Sequence, residues 1–165
     1  MNMADSFRKS GKEMPVSAKR HVQPQPRAQE QRRPADAPAS LPSNFVDEAD
    51  RIMNGILHPT NGEKRVGITT SKIRNLLSLA IEIYHQEYLR TEPKLLEDSV
   101  YRIQMMRVRM AYEGGRDRDV KQFLEKSKLI PYLKDIGDDR MKLIRYTQYL
   151  EALVAYHRYY GGREN

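Results

Sequence analysis

The apolar residues from Ser43 onward recur about three to four positions apart, which is the repeat of an amphipathic helix. No segment alternates apolar and polar residues with the β-branched enrichment that is typical of a strand. The repeat therefore predicts an all-α fold, a compact bundle of about five helices. It is clearest over residues 70–89, where the apolar face contains Ile73, Leu76, Leu77, Ala80, Ile83 and Tyr84.

Turn and capping residues divide this region further. Ser43 is placed to cap the first helix, and Gly114-Gly115 is placed to end a third helix that begins after Thr91. Shorter helical segments are expected over residues 117–127 and around Pro131, before a last helix from residue 138 or 139 to about 160. The buried face of the third helix is expected to contain Leu96, Val100, Ile103, Met106 and Met110.

The first 42 residues differ in composition from the rest. They contain six of the nine prolines, no tyrosine and few large apolar side chains. Such a segment cannot bury enough surface to offset the entropy of ordering. The sequence therefore predicts a disordered Pro/Arg-rich tail over residues 1–42 and a helical domain over residues 43–162. The tail is either a loose basic arm for a polyanion or a solvated segment without a specific role.

Composition excludes several classes of function. The 165-residue chain has no cysteine, and its four histidines form none of the spacings that hold a metal on a helix. No Walker loop and no nucleophile–base pair is recognisable, so we expect no catalytic residue, metal, cofactor or small-molecule substrate. No apolar stretch is long enough to cross a membrane, which predicts a cytoplasmic protein. The net charge of +7 favours an anionic partner.

One stretch has the chemistry of a phosphate site. In VGITTSKIRNLL, residues 66–77, hydroxyl side chains and two cations lie where a helix is predicted to begin. A helix start already carries partial positive charge, so added cations there favour the binding of an anion. Thr70, Ser71, Lys72 and Arg74 are therefore candidate RNA-binding residues. The alternative is an ordinary Ser/Thr cap whose cations point to solvent. Further basic candidates, which could equally lie on solvated helix faces, are Arg107, Arg109, Arg116, Arg140, Lys142 and Arg145.

Four stretches together resemble a known family: ITTSKIRNLL, RIQMMRVRMAYEGGRD, VKQFLEKSKLIPYLKDIGDD and RYTQYLEALVAYHRYYGG. They are similar to the small helical subunit of type III-A CRISPR effector complexes, the Csm small subunit. The resemblance covers roughly residues 45 to 162. It implies a non-catalytic scaffold in antiviral defence, present in several copies that stack head to tail along the guide RNA and its target RNA, beside other Csm subunits.

The resemblance also implies which cations contact RNA. Lys72 and Arg74 match the basic positions of a TTS-x-IR motif, and Arg109 and Arg116 lie on either side of the stretch AYEGG. The remaining basic candidates rest on local charge alone. An alternative is a free-standing helix-turn-helix regulator in which residues 70–80 would read the major groove of a DNA duplex.

Overall fold

The computed structural model describes residues 39–60 and 62–165, and this part of the chain contains six α-helices and no β-strand. The predicted all-α fold is confirmed. The predicted tail lies outside the described residues as far as residue 38. The helices are α1 (Phe45–Leu57), α2 (Thr70–Glu87), α3 (Glu97–Arg116), α4 (Arg118–Lys126), α5 (Leu129–Asp135) and α6 (Arg140–Tyr159).

Helix α2 runs antiparallel to both α3 and α6. At one end, Glu87 in the last turn of α2 accepts a hydrogen bond from the amide of Leu96, just before α3 (3.0 Å). At the other end, the Thr70 hydroxyl lies 3.0 Å from Nδ1 of His157, in the last turn of α6. The start of α2 therefore lies beside the ends of α3 and α6.

The start of α1 differs from the sequence expectation. Asn44, and not Ser43, precedes the first helical residue, and the Asn44 side chain makes no capping hydrogen bond. Asp47 and Glu48 lie in the first turn, where carboxylates interact favourably with the positive end of the helix dipole. The predicted Ser43 cap is therefore wrong.

Helix α3 does not stop at its glycine pair, as the sequence predicted, but continues to Arg116. Gly114 is buried where α4 packs against α3, and a Cβ atom at this position would lie 3.2 Å from Cδ1 of Leu124. The glycine therefore permits close helix packing and does not terminate the helix. At the other end of α3, Leu95 is buried and the predicted core residue Leu96 is 38% exposed.

Two buried tyrosines join α6 to the connection between α4 and α5. The Tyr146 hydroxyl donates to the Leu129 carbonyl (3.2 Å), and the Tyr149 hydroxyl donates to the Ser127 carbonyl (2.9 Å). Both rings are almost fully buried. Because each hydroxyl has an acceptor, the core gains large apolar surfaces without leaving a polar group unsatisfied.

Candidate nucleic-acid interface

The first amides of α2 are already hydrogen-bonded within the chain. The Thr70 amide donates to the Arg163 carbonyl (2.7 Å), and the Ser71 amide donates to the Glu164 carbonyl (3.2 Å). The Thr70 and Ser71 hydroxyls donate to the same two carbonyls, at 3.0 and 2.7 Å. The expectation that these groups are free to bind an external anion is therefore wrong, because residues 163–164 supply the acceptors that a helix start needs.

Lys72 finds its counter-charge within the fold. Its Nζ atom lies 2.5 Å from Oδ2 of Asp117, which caps α4 by accepting hydrogen bonds from the amides of Asp119 and Val120. The hydrogen bond from Lys72 lowers the pKa of Asp117, and these amides add to the effect against the opposing effect of burial. Asp117 thus compensates both the Lys72 ammonium and the positive end of α4.

Arg74 has a different environment from Lys72. Residues two positions apart on a helix point to different sides. Lys72 is half-buried and directed towards α4, whereas Arg74 is exposed. No hydrogen bond or ion pair engages the Arg74 side chain within residues 39–60 and 62–165. Of the two cations in the motif, Arg74 is the one that is available to an external anion.

His157 closes the interior side of the α2 start. Its imidazole is fully buried, Nε2 donates to the Ile68 carbonyl (3.1 Å), and Nδ1 faces the Thr70 hydroxyl. The backbone of Gly162 covers the ring so closely that a Cβ atom there would lie 2.1 Å from it. The Thr70 side chain is consequently buried and does not face solvent.

The environment of His157 predicts acid sensitivity. Burial lowers the pKa of His157, and the positive charges of Arg65 and Arg158 lower it further, although the hydrogen bond to Ile68 opposes the shift. Because the folded pKa lies below the ordinary value, the unfolded chain binds a proton first as the pH falls. This contribution to stability is complete above the unfolded pKa and is lost as the pH falls towards the folded pKa.

We therefore expect the free energy of unfolding to fall as the pH is lowered from neutral through the unfolded pKa of histidine, as measured by urea unfolding. His157→Gln should be less stable at neutral pH and should lose most of this pH dependence. The control His85→Gln changes an exposed histidine and should keep the wild-type pH dependence. An unchanged pH dependence in His157→Gln would contradict the assignment.

The candidate cations of α3 are in three different environments. Arg107 is half-buried beside a cleft lined by Gln104 and Lys134. Arg109 is exposed and has no hydrogen-bond or ion-pair partner within the described residues. Arg116 is exposed, forms an ion pair with Glu113 (3.5 Å) and lies 6.0 Å from the ring centre of Tyr112.

The three candidate cations of α6 hold neighbouring segments of the chain. Each of their side chains donates a hydrogen bond to a backbone carbonyl, that of Glu92 for Arg140 (2.7 Å), of Asp135 for Lys142 (3.1 Å) and of Pro42 for Arg145 (3.1 Å). Lys142 also forms an ion pair with the Asp135 carboxylate (3.2 Å). Arg140 also donates to the Glu87 carbonyl, at the opposite end of α2 from Lys72 and about 22 Å away by helix rise, whereas Lys142 and Arg145 contact α5 and the segment before α1. The structure therefore does not bring the ten candidates into one site.

Comparison with known proteins identifies the family. The family described as Csm2 type III-A matches residues 44–163. The chain belongs to the Csm2 family. A protein named "CRISPR system Cms protein Csm2" from Streptococcus thermophilus is 38% identical over 121 residues, which are 73% of this chain and 94% of that protein. The protein of the same name from Mycobacterium tuberculosis (strain CDC 1551 / Oshkosh) is 34% identical over 119 residues, 72% of this chain and 93% of the relative.

Membership of the Csm2 family confirms the resemblance inferred from the four sequence stretches, and it makes the chain a component of a type III-A CRISPR system. The match extends over all six helices and includes Arg163, whose carbonyl accepts from Thr70. The contact between residue 163 and the start of α2 thus lies within the part of the chain that the family shares.

Sequence reasoning missed one buried carboxylate. Glu87 is fully buried, and its side chain accepts hydrogen bonds from Arg90 (2.6 Å) and from the Leu96 amide. Burial raises the pKa of Glu87, but the hydrogen bonds from the Leu96 amide and the Arg90 guanidinium stabilise the carboxylate, and the pKa is lowered. The available signal was the position of Glu87 four residues after Ile83, which continues the apolar face of α2.

Proposed function

We propose that this chain is a non-catalytic, RNA-contacting scaffold subunit of a type III-A CRISPR (Csm) ribonucleoprotein complex, which acts in the cytoplasm in antiviral defence. In this proposal several copies stack head to tail along the guide RNA and target RNA, beside other Csm subunits. The observation that carries the RNA contact is the exposed Arg74 at the start of α2, which has no partner among the described residues and lies within the region that the Csm2 family matches.

The charges around Arg74 suit an RNA backbone. Lys72 lies in the same turn of α2, although it points to another side of the helix, and Arg116 lies at the adjoining end of α3. Lys72 and Arg116 each have a carboxylate partner but remain partly exposed, so a phosphate can compete for them. Arginine binds phosphate through two parallel hydrogen bonds, and such contacts fix the register of a nucleic acid without reading its sequence. Thr70 does not take part because it is buried.

The placement of the cations supports an extended ligand. One group lies at the start of α2, and Arg140 lies at its other end, with Lys142 and Arg145 following it along α6. A ligand that runs past the whole subunit can meet both groups, whereas a small anion cannot. Stacked copies would continue such a track along a duplex of guide and target RNA. The predicted RNA contacts of Arg107, Arg109 and the α6 cations, and the division into 1–42 and 43–162, stay predictions.

The described residues lack the features that a metal site or a membrane-spanning helix requires. Among residues 39–60 and 62–165, no three or more Asp, Glu or His side chains are grouped so that they could hold a metal. A cleft at the end of α1 is lined by His58, Glu63 and Lys126, but Glu63 and Lys126 already form an ion pair (2.6 Å). In the same ranges, no helix has the length and apolar character needed to cross a bilayer.

The RNA contact is tested by removing the two cations of the motif. In the reconstituted complex, Lys72→Ala combined with Arg74→Ala is expected to weaken target-RNA capture and to reduce the slope of log affinity against log salt by about one to two. Guide specificity should not change, because phosphate contacts carry no sequence information. Filter binding at several salt concentrations measures both quantities.

A matched control removes two exposed cations that are not candidates for RNA contact, through Lys94→Ala combined with Lys126→Ala. Both lysines also form ion pairs, with Asp138 and Glu63. The control should keep the wild-type salt slope. Equal capture by the two double variants would remove Lys72 and Arg74 from the proposed interface.

The helix-turn-helix alternative has less support. The connection from α1 to α2 spans residues 58–69, whereas a helix-turn-helix joins its helices by a turn of about three to four residues. The start of α2 is also covered by residues 163–164, at the end that would contact base edges. Sequence-selective binding of a DNA duplex in a gel shift would favour this alternative over the RNA scaffold.

A further inference from the structure

Helix α3 carries a row of apolar side chains on the side that faces away from the core. The row consists of Tyr101, Met105, Val108 and Tyr112, which are 61%, 47%, 56% and 62% exposed. The opposite side of α3 is buried through Ile103, Met106 and Met110. A helix that is apolar on both sides is normally covered on both sides. We call this row of four residues the α3 seam.

The spacing of the α3 seam is that of a coiled-coil contact. Its members follow one another at intervals of four, three and four residues, and the row is about 16 Å long by helix rise. Among the described residues, Leu96 is also exposed and lies just before α3. The other exposed large apolar residues lie on other elements, singly or as a neighbouring pair: Val46, Tyr88, Leu89, Met141 and Tyr159. The α3 seam is therefore a contact face for a helix and not scattered surface apolarity.

One flank of the α3 seam is positively charged. Arg102, Arg109 and Arg116 follow at intervals of seven on this flank, with Asp98 in the first turn. Arg102 forms an exposed ion pair with Glu82 (3.1 Å) and Arg116 forms one with Glu113 (3.5 Å). Arg109 has no hydrogen-bond or ion-pair partner among the residues that the structure describes, so it is the cation that is open to a partner. In coiled coils, charges on the flanks determine which partner binds. This flank favours a partner helix that carries acidic residues.

A second copy of the chain is a poor fit for the α3 seam. A two-fold antiparallel pair would place the Arg102 and Arg109 flank against the same flank of the other copy, and like charges oppose each other there. A head-to-tail pair would need an exposed apolar row of similar length on another element, and the described residues contain none. Residues 1–38 are also unsuited, since they carry 8 Lys and Arg against 4 Asp and Glu.

We propose that the α3 seam docks an amphipathic helix with an acidic flank that belongs to a different protein subunit of the type III-A complex. Met105 and Val108 fill the centre of this contact, and Tyr101 and Tyr112 close its two ends. Arg109 pairs with a carboxylate of the partner, in place of the RNA contact that the sequence predicts for it. RNA is a less suitable occupant, because the two central side chains offer no aromatic surface for stacking and no hydrogen-bond donor. The proposal depends on membership of the complex and not on the RNA contact of Lys72 and Arg74.

Photo-crosslinking in the complete reconstituted complex tests this proposal. A benzophenone amino acid at Val108 is expected to crosslink to a single helical peptide of a different subunit, with acidic residues beside its apolar row, as identified by mass spectrometry. The control position is Ser78, which is exposed on α2, and it should not crosslink to this peptide. A crosslink from Val108 to another copy of the chain, a crosslink to RNA, or no crosslink would each overturn the proposal.

A binding experiment supplies the second measurement. With the crosslinked subunit as the titrant, Met105→Lys combined with Val108→Lys is expected to weaken its binding about 30-fold or more. Both positions are exposed, so the variant should unfold at the wild-type temperature. The control Gln104→Lys combined with Ala111→Lys adds two charges to exposed positions of α3 outside the seam and should bind within about threefold of wild type. Equal weakening by both double variants would show a general charge effect and would overturn the proposal.

Discussion

Glu87→Gln is expected to lower the free energy of unfolding by about 3 kcal/mol, as measured by urea unfolding at neutral pH. The Glu87 carboxylate is fully buried and receives hydrogen bonds from Arg90 and from the Leu96 amide. A carboxamide of the same shape removes the nearer counter-charge of the Arg90 guanidinium, which keeps only the longer ion pair with Glu92 (3.4 Å). Glutamine also joins α2 to α3 less firmly, because its side-chain NH2 group must face Arg90 or the Leu96 amide, and both of these are donors.

The matched control for Glu87 is Glu82→Gln, one turn and a half earlier on α2. Glu82 pairs with Arg102 in solvent, and exposed ion pairs contribute at most about 1 kcal/mol. A difference of about 2 kcal/mol or more between the two variants is therefore expected. If both variants lose the same stability, the buried cluster at Glu87 does not have the role assigned to it.

Gly114→Val is expected to destabilise the protein by about 3 kcal/mol, in spite of the higher helix propensity of valine. A Cβ atom at Gly114 would lie 3.2 Å from the Leu124 side chain and 3.5 Å from the Lys121 Cα atom. The two further methyl groups of valine must therefore push α4 away from α3. The midpoint of thermal unfolding, followed by circular dichroism, measures this loss.

The neighbouring glycine provides the control for this variant. Gly115 is exposed, and a Cβ atom there would meet nothing within 4 Å. Gly115→Val should change the stability by less than about 0.5 kcal/mol, because Gly115 is exposed in the last turn of α3 and its side chain would contact nothing. If both variants lose the same stability, glycine is required here for the backbone conformation and not for the packing of α4 against α3.

Periodic apolar spacing was sufficient to predict the class of fold and the approximate extent of the long helices. The stripe of Ile73, Leu76, Ala80 and Ile83 is buried as the repeat requires. Local signals were less reliable where packing competes with them. Gly114 stands in a sequence that is typical of a helix end, yet α3 continues because α4 requires a residue without a side chain there.

The sequence by itself determined that the chain folds as a bundle of helices and that it resembles the family to which it belongs, since both follow from the order of residue types. Only the tertiary structure decided what the start of α2 binds. Two cations at the positive end of a helix suggested a missing anion, but Asp117 and the carbonyls of residues 163–164 come from distant parts of the chain. Local sequence cannot report such partners, because folding brings them together through contacts that are remote along the chain. Of the two cations in that motif, only Arg74 has no hydrogen-bond or ion-pair partner within the part of the chain that the structure describes.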